Sequence, residues 1–421
     1  MSEAEQTALA ESRGIARYRA FLAVPHTALL LTWSVVARLP IGMTPLALLL
    51  LARDQGVSYG AAGLLLASYG IAVAIGSVVA GRRVDRRGPV RVLTMRAIAY
   101  PLLLCVVIVL AVADAPFGSL IVAAAAAGFL IAPIGATVRS VWPAVVPDEL
   151  RSTAYSLEAA IQEIIFVVGP LLAAGLSVID PLLAIGAAAI AMGVGTFLVC
   201  ASPPVRALRA SGSEGGLLGA LESRGVRLLT MYSAMIGIAF GAVEVAMPAF
   251  AESHGARELG GLALAAFAGG SLVGGFLAGA HPGGNDLERV VRFAPILGGG
   301  LLLLQAAFSI PTLCALAFVA GLPIAPTVAA VYGLIDRTAP RYALAEAFSW
   351  FGTAVGLGIA SGTAVGGIAI DHIGVRAAFG LGALAALLGA LLLVVRRTTL
   401  AGHGSSAGWR EEDPAPAGST L

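Results

Sequence analysis

Five charged side chains stand inside long apolar runs: Arg38, Arg139, Glu158, Glu163 and Glu244. An unpaired charge in hydrocarbon costs about 3 kcal/mol on insertion scales, so such groups pair with one another or line water. A carboxyl in that setting can bind and release a proton as its surroundings change. Arg38 lies about eleven residues into the first run and Glu163 about ten into the fifth, which at 1.5 Å per residue brings both near mid-depth. They form one expected pair, and Arg139 and Glu158, matched in depth in the same way, form another. Tyr155, Glu158 and Gln162 recur at three and four residues, a polar stripe on one helix face. Glu163, with Glu158 and Glu244 behind it, is the expected proton carrier. The alternative of equal standing is a static ion pair that fixes one bundle.

Other chemistries fall away. All 26 basic residues are arginine, so no lysine serves a phosphate-binding loop of the Walker type or a Schiff base. Cys105, Cys200 and Cys314 sit singly in apolar runs, where a thiol acts as a small hydrophobe. His26, His254, His281, His372 and His403 are scattered without ligand spacing, so neither a metal nor a cofactor is expected. The G-x-S-x-G match at 404–408 lies in a polar tail without the strand-turn-helix setting that makes such a serine reactive. A net charge of +2 is too small to suggest a nucleic-acid partner.

The elements that carry the five charges are membrane spans. Mean hydropathy is +0.91, 58% of residues are hydrophobic and 12% are charged, about half the charged fraction of a soluble domain. A span takes roughly 20 apolar residues. Runs of that kind fall at 27–51, 60–80, 90–112, 117–143, 153–178, 181–201, 227–251, 258–280, 290–309, 312–335, 343–369 and 374–396. The expected architecture is an all-α membrane protein of twelve transmembrane helices in two six-helix bundles. Residues 1–26 form a polar cytoplasmic leader, 27–201 the first bundle, 202–226 a Pro/Gly/Ser-rich cytoplasmic linker, 227–396 the second bundle and 397–421 a disordered tail. Orientation follows from arginine. With the N-terminus inside, 21 arginines fall in the cytoplasm and three, Arg53, Arg257 and Arg376, outside.

The halves resemble each other. At an offset of 198, Gly63, Leu66, Tyr69, Gly76 and Gly81 fall on Gly261, Leu264, Phe267, Gly274 and Gly279. At 193, Pro147, Ala154, Tyr155, Ser156 and Gly169 fall on Pro340, Ala347, Phe348, Ser349 and Gly362. A parallel six-plus-six repeat places a substrate site between the halves near the midplane.

Between the second and third runs stands G-R-R-V-D-R-R-G-P-V-R, residues 81–91. It resembles the signature loop of the major facilitator superfamily, with Gly81, Asp85, Arg86, Gly88 and Arg91 at the positions that matter. The resemblance implies that Asp85 docks on the positive N-terminal end of the eleventh helix, here near Tyr342, and latches the cytoplasmic side shut. The loop after Gly279 has Gly283 where the aspartate would stand, so a carboxylate latch is expected on one side only. Gly169-Pro170 resembles part of the G-P-x-x-G-G element of drug:proton antiporters, although Ala173 and Ala174 replace the final glycines. An ordinary proline kink packed with small residues is its alternative. The fourth run has Ala124 where that family's R-x-x-x-G pattern has its arginine, which argues against standard antiporter machinery.

The resemblance implies a transporter of a bacterial cytoplasmic membrane, not an enzyme, that moves a small organic solute by alternating access. Efflux in exchange for protons is the expected direction, and proton-coupled uptake or a non-transporting receptor on the same fold the alternatives. Thr32, Trp33, Gln162, Tyr232, Thr327 and Tyr332 are candidates for the substrate cavity. The expected partners are the solute, protons and lipid, and the chain is expected to act as a monomer.

Overall fold

The computed structural model describes residues 14–57, 59–208, 210, 219–256, 259–281 and 285–401. Most of the leader, the centre of the linker, Arg257, Gly283 and the tail with His403 and residues 404–408 lie outside the described residues.

Every regular element among them is helical. The first half contains α1 (Ile15–Ala23), α2 (Thr27–Asp54), α3 (Tyr59–Arg87), α4 (Pro89–Val112), α5 (Phe117–Phe129), α6 (Ile134–Val145), α7 (Asp148–Ser177), α8 (Pro181–Ala201) and α9 (Pro203–Ala207). The second contains α10 (Arg224–Ser253), α11 (Gly260–Ala280), α12 (Asp286–Leu303), α13 (Ile310–Gly321), α14 (Ile324–Thr338), α15 (Leu344–His372), α16 (Val375–Val395) and α17 (Arg397–Ala401). Eleven helical segments among the described residues are long and apolar enough to cross a membrane, α5 with α6 and α13 with α14 each counting as one. The twelfth is α12, whose first two turns carry Asp286, Glu288, Arg289 and Arg292 and dilute its hydropathy. The protein is therefore an all-α, multi-pass membrane protein with two halves of six spans.

Two spans break at corresponding places. The fourth unwinds over Leu130, Ile131, Ala132 and Pro133, the tenth at Leu322 and Pro323. Proline removes one backbone donor and disfavours helix in the residue before it. Glycine makes room at both breaks: a Cβ on Gly76 would collide with the Phe129 carbonyl, and one on Gly274 with the Leu322 carbonyl. Non-helical backbone at membrane depth needs internal partners. Arg96 supplies them in the first half: its guanidinium donates to the carbonyls of Phe129 (3.0 Å), Ile131 (2.6 Å) and Gly76 (3.2 Å) and is fully buried.

Small residues also set the packing within each half. In the first, α2 touches α7 at Gly42 and Gly169, where an added Cβ on Gly169 would stand 2.8 Å from the Gly42 Cα. In the second, Gly237 of α10 meets Gly358 of α15, while Gly241 lies against the Ile359 and Thr363 backbone and Gly362 against that of Ile238. Close backbone approach of this kind drives helix association where no hydrophobic force separates protein from lipid.

Candidate functional site at the junction of the halves

Four of the five charges inside the spans, all but Glu244, gather on α2, α6 and α7. Arg38, fully buried, donates to both carboxylate oxygens of Glu158 at 2.9 and 3.1 Å, and to the Ser34 hydroxyl at 2.8 Å. Arg139 approaches the same carboxylate with Nε 3.6 Å from Oε2, and its Nη2 lies 3.5 Å from the Gln162 side-chain oxygen. Its guanidinium also stacks over the Tyr332 ring, 4.1 Å from the centroid. Tyr332 belongs to α14, so this contact crosses between the halves.

The expected pairing of Arg38 with Glu163 is corrected: Arg38 takes Glu158, which Arg139 shares. Depth was matched, but Glu158 and Glu163 are five residues apart and so point about 140° apart around α7. Glu158 faces α2 and α6, whereas Glu163 faces the second half, where the Ser271 hydroxyl of α11 donates to it at 3.1 Å. Among the described residues, no guanidinium lies within ion-pair distance of Glu163.

One turn nearer the arginine-rich face, an aromatic cluster joins the two halves. Tyr155 meets Tyr332 and Phe348 at centroid distances of 6.2 Å, and Tyr332 meets Phe348 at 6.0 Å and Phe351 at 5.0 Å. Tyr155 and Phe348 are the aromatics that the repeat aligns.

Two bracing contacts lie below it. Asp85, at the end of α3, accepts hydrogen bonds from the backbone N–H groups of Ala345 (3.0 Å) and Glu346 (2.8 Å), the free donors of the first turn of α15. Arg82 adds a two-pronged bond to the Glu346 carboxylate at 3.0 and 2.8 Å. A Cβ on Gly81 would collide with Ser349, so the closeness depends on glycine. Gly88 turns the chain at φ +80° into Pro89, while Arg86 and Arg91 are exposed.

The pseudo-equivalent contact joins α7 to α11 without a carboxylate. Thr153 donates to the Gly279 carbonyl at 3.0 Å, and a Cβ on Gly279 would stand 2.9 Å from the Ser156 Cβ. Gly81 with Ser349 and Gly279 with Ser156 are thus the same pair in the two halves. Helix α1 straps this second junction. The Arg17 Nε donates to Thr153 at 2.7 Å, the Gly14 N–H to the Ala280 carbonyl at 2.7 Å, and the Tyr18 hydroxyl to the Phe276 carbonyl at 2.7 Å. Burial pushes the Tyr18 phenol up to about 12, so it stays a donor at neutral pH. Arg151 reaches Asp336 of α14 at 3.9 Å. All these cross-half contacts lie between mid-depth and the arginine-rich face.

The cavity candidates scatter. Gln162 is half-buried beside Arg139, and Tyr332 is buried beneath it. Thr327 is buried and donates to the Pro323 carbonyl at the break, 2.6 Å away. Tyr232 is buried with its ring against Gly389 of α16. Thr32 is exposed and donates to the Ala28 carbonyl one turn back, Trp33 is half-buried, and Glu244 is exposed on α10. Pro170 packs with Gly169 against Gly42. The sequence reading missed Arg96, Ser271, Asp336 and the Arg82–Glu346 pair. Pro133 inside an apolar run was the one signal for a break that Arg96 could serve. Among the described residues no group of His, Cys, Asp or Glu could hold a metal ion.

Two repeated six-span halves, each with one broken span, and a buried charged centre at their junction are the architecture of a membrane transporter rather than an enzyme. The sequence profile of the Major Facilitator Superfamily matches residues 30–283 and 261–417, and the chain belongs to that superfamily. Among solved structures, the human organic anion transporter MFSD10 (TETRAN) matches with a TM-score of 0.65 at 16% identity, over 87% of this chain and 98% of its own. A bacterial homologue of the iron transporter ferroportin in an outward-facing state, with soaked iron, matches at 0.69 and 15% identity, over 88% of this chain and 99% of its own. At these identities the likeness is one of fold. No curated protein matches the chain.

Proposed function

We propose that this chain is a proton-coupled secondary transporter that moves a small organic solute by alternating access, with Glu163 carrying the proton. The observation that carries this reading is the Glu163–Ser271 contact across the two halves. A carboxyl held by a hydroxyl can be protonated without stranding a guanidinium, whereas protonating Glu158 would strand Arg38 and Arg139 together. Arg38, Glu158 and Arg139 on this reading form the fixed frame beside the proton site.

The positive-inside rule supports placing the arginine-rich face, and with it both chain ends, in the cytoplasm of a bacterial cell. The Asp85 latch and the α1 strap then close the cytoplasmic side, and the state is outward-facing. Efflux in exchange for protons is the coupling that the Gly169-Pro170 element favours. Movement of solute and proton together is a second reading, favoured by the charge of the site: Arg38, Glu158 and Arg139 sum to one positive charge.

Deletion and overexpression strains compared across toxic compounds and metabolites test the reading. The expected result is at least one compound whose internal level moves in opposite directions in the two strains. A compound set that never responds, with the protein confirmed in the membrane, counts against transport.

A further inference from the structure

The two buried arginines are not equally occupied. Arg38 is saturated: its guanidinium holds both Glu158 oxygens and the side chain and carbonyl of Ser34. Arg139 is 5% exposed, yet its Nε has no hydrogen-bond partner among the described residues, the Glu158 oxygen standing off at 3.6 Å. Gln162 touches it only at the 3.5 Å limit. Both oxygens of Glu158 are already engaged by Arg38, so the second guanidinium lacks a counter-charge of its own. Such a surplus is costly away from water and offers a planar donor fork suited to carboxylate, sulfonate or phosphate.

We propose that the solute is an organic anion whose negative group docks on the Arg139 guanidinium. This rests on the transport reading and names its substrate class. Tyr332, on α14 of the second half, covers one flat face of Arg139, and the Phe351 ring stands 5.0 Å from that of Tyr332. Aromatic rings thus offer the anion's carbon skeleton a wall that belongs to the other half. The anion touches both halves, so its fit depends on how they are set, which is what a carrier requires of its solute. The charges facing the site are Arg38 from α2, Arg139 from α6, and Glu158 and Glu163 from α7, while α11 and α14 contribute the hydroxyls of Ser271 and Tyr332. Ionised Glu163, although outside ion-pair distance of Arg139, adds negative charge to the same buried centre and so disfavours the anion there. A proton on Glu163 and an anion on Arg139 therefore go together, which selects the second form of coupling.

The test uses the purified full-length chain in detergent. The probes are small aromatic and aliphatic carboxylates, sulfonates and phosphate monoesters, each beside its uncharged amide or alcohol and its ammonium analogue. Binding is read as a concentration-dependent rise in melting temperature. At least one anion is expected to stabilise the protein while its neutral and ammonium partners do not. R139Q is expected to weaken that anion about tenfold or more, the scale of one charged hydrogen bond. R139K is expected to recover part of the loss, and E163Q to bind the anion more tightly than wild type. Stabilisation by no anion, equal stabilisation by the ammonium analogue, or undiminished binding by R139Q overturns the proposal. If R139Q does not fold, E163Q decides, and unchanged or weaker anion binding there overturns it. Proteoliposomes separate the two levels of the argument. An anion bound but never moved supports the site and refutes the transport reading, whereas movement of an uncharged or cationic solute without anion binding refutes the site alone.

Discussion

The Glu163 carboxylate and the Ser271 hydroxyl meet at 3.1 Å, one on α7 of the first half and the other on α11 of the second. Such a bond contributes about 1.5–3 kcal/mol while Glu163 is ionised and about 0.5–1.5 kcal/mol once it holds a proton, so the two states differ by about 1 kcal/mol. Ser271→Ala is therefore expected to slow gradient-driven transport by a few-fold to about tenfold, with the proton still coupled. A larger loss, or loss of coupling, in a flux assay would give Ser271 more than a positioning role.

Glu158 is a different kind of carboxylate. Glu158→Gln leaves Arg38 and Arg139 buried without their shared counter-charge, and breaking a buried pair in this way costs about 3–5 kcal/mol. The variant is expected to melt well below wild type in detergent and to express poorly. The double change R38Q with E158Q, which removes both partners, is expected to recover part of that loss. Additive losses in the double-mutant cycle would show that the pair is not coupled.

The Asp85 latch can be opened without disturbing that frame. Asp85→Asn keeps the shape but gives up the charge that binds two N–H groups at the start of α15, with about 1.5–3 kcal/mol at stake for bonds to a charged acceptor. A cysteine placed at Ser349, buried behind the latch, is expected to react faster with a water-soluble maleimide in the Asp85→Asn background. Equal rates would mean that the latch does not hold this side closed.

On the second junction α1 takes the place of a carboxylate latch. Arg17→Ala combined with Tyr18→Phe removes the side-chain bonds to Thr153 and Phe276. A cysteine reporter at Ser156 should then become reactive, while one at Ser349 changes less. Identical responses at both reporters would deny α1 a separate role.

Much of this architecture can be read before folding. The apolar runs mark the spans, and the aligned glycines turn out to sit at equivalent close contacts: Gly76 and Gly274 at the two breaks, Gly81 and Gly279 against Ser349 and Ser156. Azimuth is harder to read than depth. Arg38 and Glu163 share a level, yet the 140° between Glu158 and Glu163 sends one carboxylate into the first half and the other into the second. Arg96 looks like one more loop arginine because it follows Arg91 by five residues. Its meaning depends on carbonyls that only the unwound segment at 130–133 exposes. Asp336 and Glu346 stand near helix ends, where charges are ordinary, and their partners in the first half, Arg151 and Arg82, reach them only when the halves meet.

The most direct test of the account compares wild type with Glu163→Gln in proteoliposomes, using the solute that the strain comparison identifies. Exchange of labelled for unlabelled solute needs only alternating access and is expected to survive, while accumulation driven by a pH gradient is expected to be lost. Undiminished gradient-driven accumulation by Glu163→Gln would contradict the central claim that Glu163 carries the proton.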